Sequence, residues 1–194
     1  MNSVFLREIK LFLAGLIGMS LVGCASVAMP PPSATPSTLE KLRIANLAPS
    51  NVGKFGIAPD RNPEMDSSLG GLRGSSLQGS NGSFSQHLRG VVVAELKAAG
   101  LYDESSNILI GAQLTDSQVD AAIGTGTAKL AANFTVDKAD KRVFEKTLSV
   151  DSRWKSSFVG AIAIPEAINR YSELYRALAA KLFDDEDFRE ALAR

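Results

Sequence analysis

Ala128-Lys129-Leu130-Ala131-Ala132-Asn133-Phe134-Thr135-Val136 decides the fold. Ala128, Leu130, Ala132, Phe134 and Val136 alternate with Lys129, Ala131, Asn133 and Thr135. Side chains along a strand point to opposite faces in turn, so this run predicts a strand with one buried and one wet face. One wet face is the habit of antiparallel sheets. Downstream, Asp137 to Lys141 is a polar turn, and Arg142 to Trp154 returns with Phe144, Leu148, Val150 and Trp154 in phase. Lys146 shares that phase, so it must reach solvent at the rim or a bulge must shift the register. Upstream, Ile108, Ile110, Ala112 and Leu114 alternate in the same way.

Two helices flank these three strands. Ser83 or Ser85 can cap a helix that runs to Ala99, where Gly100 supplies a left-handed stop. Its apolar face is Leu88, Val92, Leu96 and Ala99. After Pro165, placed to open a helix, Ile168, Tyr171, Leu174, Tyr175, Leu178 and Leu182 form a broad stripe. Asp184-Asp185-Glu186-Asp187 then starts a short terminal helix with Phe188 and Leu192. Leu39 to Leu47 reads as a first strand through Leu42, Ile44 and Leu47, and Ser50 to Ser83, rich in glycine, reads as an irregular loop. The expectation is an α+β domain over residues 39–194, ordered β-α-β-β-β-α with the short helix last. Two main helices cover one face of an antiparallel sheet of about four strands.

Residues 1–38 are of another kind. Arg7 and Lys10 precede an apolar run from Leu11 to Val22, about a dozen residues long and short of the roughly 20 that span a bilayer. The run ends in Leu21-Val22-Gly23-Cys24, which contains the single cysteine. This tetrapeptide resembles the lipobox of bacterial lipoprotein signal peptides. The resemblance implies cleavage between Gly23 and Cys24, removal of residues 1–23, and acylation of Cys24 as the new N-terminus. Two or more acyl chains anchor a protein stably, so Cys24 is the expected membrane attachment. Ala25 stands where an aspartate would imply retention in the inner membrane; the expected location is the outer membrane, with the domain facing the periplasm. Residues 24–38, with Pro30-Pro31-Pro32 and Pro36, read as a lipidated, semi-rigid tether. With a tether and a small α+β domain, the chain resembles small outer-membrane lipoproteins of proteobacteria. These include uncharacterised envelope lipoproteins, the lipoprotein of lipopolysaccharide assembly, and auxiliary lipoproteins of ABC-type lipid transporters.

Composition narrows the function classes. The chain carries 21 basic and 21 acidic residues; without residues 1–23 the balance is 19 against 20. A near-neutral chain lacks the basic stripe that nucleic acid requires. Gly74 and Gly79 have phosphate-loop spacing, but Ser80 and Asn81 stand where lysine and a hydroxyl residue are needed, so no nucleotide is expected. Gly124-Thr125-Gly126 meets Lys129 instead of a third glycine and belongs to a hairpin. His87 is the single histidine and reads as a solvated helix-end residue. One histidine and one acylated cysteine give no zinc set, and the acidic run at 184–187 lacks an EF-hand's glycine and downstream glutamate. No enzyme, cofactor or metal is expected.

One segment asks for a function: Phe158-Val159-Gly160-Ala161-Ile162-Ala163-Ile164. It is either a buried crossover under the last helix or an exposed patch of Phe158, Val159, Ile162 and Ile164 for an envelope protein or a lipid surface. Two roles follow: a non-enzymatic binding or assembly component of the envelope, or a carrier of lipid or glycolipid. A cleft lined by Phe134, Trp154 and Tyr175 points to the carrier. A filled core with the 158–164 patch exposed points to docking.

Overall fold

The computed structural model describes residues 26–194. Leu21, Gly23 and Cys24 lie outside them. The alternating runs form β5 (Ile108–Asp120), β6 (Gly124–Lys138) and β7 (Lys141–Ser156), an antiparallel meander in which Ala112 faces Phe134 and Phe134 faces Lys146. Leu130, Ala132, Phe134 and Val136 are fully buried. In β5 the register shifts between Leu114 and Asp116. A bulge reverses the in–out phase, so Ser117 and Val119 turn inward where Ile110, Ala112 and Leu114 did before it. Lys146 keeps its phase and reaches the rim, the first of its two expected outcomes.

The fourth strand is β2 (Asn51–Ile57), which pairs with β5 in parallel and gives the order β2-β5-β6-β7. It lies inside the segment expected to be an irregular loop. Parallel neighbours need a long crossover, supplied here by α2 (Phe84–Ala99). That helix has the predicted ends: Ser83 Oγ accepts from the Gln86 N–H at 3.1 Å, and Gly100 adopts φ 72°. Together with α3 (Gly160–Asp184) it covers one face of the sheet through Leu88, Val92, Leu96, Tyr171, Leu178 and Leu182. The α+β class, the number of strands in the main sheet and the final helix, α4 (Glu186–Ala191), are as predicted, but the sheet is mixed and not antiparallel throughout, because β2 joins it in parallel.

Four departures have physical causes. Leu39 to Leu47 is not a strand: Pro36–Ile44 is a helix, α1, opened by Pro36, with Thr38 and Leu42 buried one turn apart and Ile44 in water. The glycine-rich segment also folds a hairpin, β3 (Leu69–Leu72) and β4 (Ser75–Gln78). Arg73 (φ 52°) and Gly74 (φ 90°) join its strands, the two positive φ values of a type I′ turn. The tether is part of the fold: β1 (Ser26–Ala28) pairs in parallel with β4, Ser26 beside Ser76, and completes a second sheet ordered β1-β4-β3. Met29 joins the core, and Pro32 packs so close to α2 that a Cβ on Gly90 would come within 2.7 Å of it. Finally, α3 begins five residues before Pro165, which sits inside it and forfeits the hydrogen bond to the Ala161 carbonyl.

Candidate functional site

Arg73 organises one end of the molecule. The I′ turn puts its side chain against the β5–β6 turn and the β7–α3 connection. Its guanidinium donates to the carbonyls of Ala121 (2.6 Å), Ser157 (2.6 Å) and Phe158 (2.8 Å) and to Ser156 Oγ (3.3 Å). A planar guanidinium is suited to join several acceptors at once. The adjacent Gly71 lies so close to β5 that a Cβ there would sit 2.0 Å from the Val119 carbonyl oxygen. The three loops are thereby bound into one unit.

That unit is apolar on its outside. Phe158 is 79% exposed, Ile123 in the β5–β6 turn 64%, Ile162 58% and Val159 51%. Of the four residues predicted as a patch, Phe158, Val159 and Ile162 are exposed together, whereas Ile164 packs against the core. The buried-crossover alternative fails because residues 160–164 are the first turn and a half of α3. Sequence reasoning missed Ile123 and Arg73: nothing local shows that they meet the 158–164 segment, from which they are far apart in sequence.

Among the described residues, Phe134, Trp154 and Tyr175 are buried together in one core, each 7% exposed or less, and do not wall an open cleft. Trp154 lies across Gly126 on the neighbouring strand, where an added Cβ would be 2.2 Å from the indole. Below it, Ser117 Oγ, brought inward by the bulge, bonds Tyr171 Oη, and Tyr171 Oη lies 2.9 Å from Tyr175 Oη. Burial raises the pKa of both phenols.

A groove of about 520 Å³ lies on the other, wet face of the sheet, lined in part by Gly53, Gly56, Gly111, Asn133, Arg142 and Glu145. Three of its charged groups meet one another: Arg142 donates to Asp137 and, through Nη1, to Glu145 at 2.9 Å, and Glu145 also accepts from Asn133 Nδ2 at 2.9 Å, while Lys54 adds a further charge to the lining. Those bonds and the guanidinium hold the Glu145 carboxyl below its usual range.

His87 is not solvated as expected. It is 3% exposed, edge-on to Tyr175 at 4.7 Å between ring centres, with Nδ1 2.8 Å from Ser80 Oγ. Burial lowers its pKa to about 4, so the ring is neutral at pH 7. The space beside it under Pro30–Pro32 is about 20 Å³, room for one water, and the carboxylate of Asp66 is bonded to Ser83 and Ser85 instead. A hydroxyl–imidazole pair so enclosed fastens a loop to a helix. The acidic run is likewise committed. Asp184 meets Lys41 at 2.6 Å, Asp185 and Asp187 each meet Lys146 at 2.7 Å, and Asp185 caps α4 at the Phe188 N–H. Among the described residues no helix is long and apolar enough to cross a membrane.

With this geometry in hand, comparison with solved structures gives a likeness to a Xanthomonas campestris protein described by the family model DUF330. The TM-score is 0.59 at 14% identity, covering 86% of this chain and 97% of that one. The two share a fold. A minor lipoprotein from Acinetobacter baumannii is more distant, with a TM-score of 0.41 at 10% identity over 76% of this chain and 96% of that one, too remote to argue from. No family model matches the chain, and no curated protein matches its sequence.

Proposed function

We propose that the chain is a lipid-anchored envelope protein, attached through Cys24 to the periplasmic leaflet of the outer membrane. Its domain acts as a non-enzymatic binding or assembly component. The observation that carries this reading is a filled core beside an exposed apolar end. Phe134 and Tyr175 are wholly buried, while Phe158 and Ile162 stand in water. Exposed apolar side chains gathered on one rigid unit are the mark of an interaction surface. The lipobox supports the anchor, and Ala25 supports the outer membrane.

The carrier alternative needs an apolar cleft. The groove on the wet sheet face presents the charges of Lys54, Asp137, Arg142 and Glu145 and the amides of Gln113 and Asn133, a poor lining for an acyl chain. The test is to purify the full chain from detergent-solubilised envelopes and weigh it intact and under native conditions. The proposal expects an acylated Cys24 and no stoichiometric lipid beyond the covalent chains. Stoichiometric non-covalent lipid would restore the carrier reading.

A further inference from the structure

The lipoprotein reading fixes how far the domain can stand from its membrane. Ser26 is already in β1, hydrogen-bonded in register with Ser76 of β4. Between it and Cys24 lies one residue, Ala25, so the two Cα atoms are at most about 7 Å apart. There is no spacer. Ser76, in turn, follows closely on the Arg73–Gly74 turn, and Arg73 holds the loops that present Ile123, Phe158, Val159 and Ile162. The acylated end of the chain and the exposed apolar end of the fold are therefore the same end.

Resting on that reading, we propose that the Ile123–Phe158–Val159–Ile162 surface is a second membrane contact: these side chains enter the leaflet that holds the acyl chains and seat the domain directly on the bilayer. The architecture of the loops fits a lipid surface. Apolar side chains project from a hairpin tip, a bend and a first helical turn, a shallow set at the end of long strands. Backbone polar groups that approach the bilayer's hydrocarbon are costly unless satisfied within the protein, and Arg73 already occupies the carbonyls of Ala121, Ser157 and Phe158. On the outer face of β7, Arg153 and Lys155 are exposed close to this end, against Asp120 at the end of β5. Basic residues at a membrane surface are drawn to anionic headgroups. Ile44, 85% exposed, lies near the opposite end of β5, roughly 40 Å away along a 13-residue strand, and provides an internal contrast.

The experiment uses the full, acylated chain, in which Cys24 has no free thiol. Ile162→Cys, Phe158→Cys and, as the contrast, Ile44→Cys are each labelled with an environment-sensitive fluorophore. The proteins are then reconstituted into phosphatidylethanolamine–phosphatidylglycerol vesicles containing a doxyl-labelled lipid. The expected result is quenching several-fold stronger at 162 and 158 than at 44. Three results overturn the inference. Equal quenching at 162, 158 and 44 on acylated protein shows the end to be in water and leaves the lipoprotein reading intact. Shielding from water without doxyl quenching shows a protein, or a second copy, on the surface instead of lipid. An intact mass with an unmodified Cys24 overturns the lipoprotein reading itself and removes the inference with it.

Discussion

The guanidinium of Arg73 donates to the carbonyl oxygen of Phe158 at 2.8 Å across 85 residues of sequence. The same group holds Ala121 and Ser157, so one side chain sets the spacing of every exposed apolar residue at that end.

Arg73→Ala should destabilise the domain by about 2 kcal/mol, the scale of losing hydrogen bonds to a charged donor. Arg73→Lys should restore little, because an ammonium cannot span acceptors as the planar fork does. Urea unfolding of the three proteins measures this. Equal midpoints would mean that the loops hold their places without the clamp.

His87 makes stability depend on pH on the acid side. Its folded pKa of about 4 lies below the ordinary 6.5, so the unfolded chain binds the extra proton first. Stability is complete above pH 6.5 and is lost as pH falls through 6.5 toward 4, by about 3 kcal/mol in all. His87→Gln should flatten that part of the profile in melts from pH 7.5 to pH 4. An unchanged slope would assign it to other groups.

Glu95 acts with the opposite sign. It is wholly buried, accepts the Thr35 N–H at 2.8 Å at the start of α1, and burial raises its pKa. A raised carboxyl pKa contributes stability below the unfolded carboxylate range that is lost as pH rises through the folded value. Glu95→Gln, which keeps the acceptor oxygen, should therefore melt higher than the parent at pH 8 and close to it at pH 4. A variant less stable than the parent at pH 8 would contradict this sign.

Phe134 tests the register of the sheet. Fully buried and opposite Ala112, it should cost about 3–5 kcal/mol when truncated to alanine. A loss below about 1 kcal/mol would place it on the wet face.

What the sequence shows of this molecule follows from how locally each part is stabilised. The β5–β7 meander and α2 are legible because Phe134, Leu130 and Leu88 alternate or recur with their elements' own periods, and Ser83 and Gly100 are local end signals. Helix α1 is not. Its apolar Leu42 and Ile44 mimic a strand, and its start is fixed by Glu95, 60 residues away. Strand β2 carries Gly53 and Gly56, poor strand formers, and is held by pairing with β5 and by Arg89 donating to the Val52 and Gly53 carbonyls at 2.9 and 3.2 Å. His87 looks exposed at a helix start until Ser80, Tyr175 and the Pro30–Pro32 segment close over it. At the candidate site, composition marks residues 158–164, but their exposure depends on tertiary contacts around Arg73.

The most direct test of the anchor is Cys24→Ala in the full chain, read by intact mass and by fractionation of inner membrane, outer membrane and periplasm. The lipobox reading predicts that the parent has lost residues 1–23, carries acyl chains on Cys24 and fractionates with the outer membrane. The variant should keep its N-terminal segment, gain no acyl mass and leave that fraction. An alanine variant with the parent's processing, mass apart from the substitution, and outer-membrane association would contradict it.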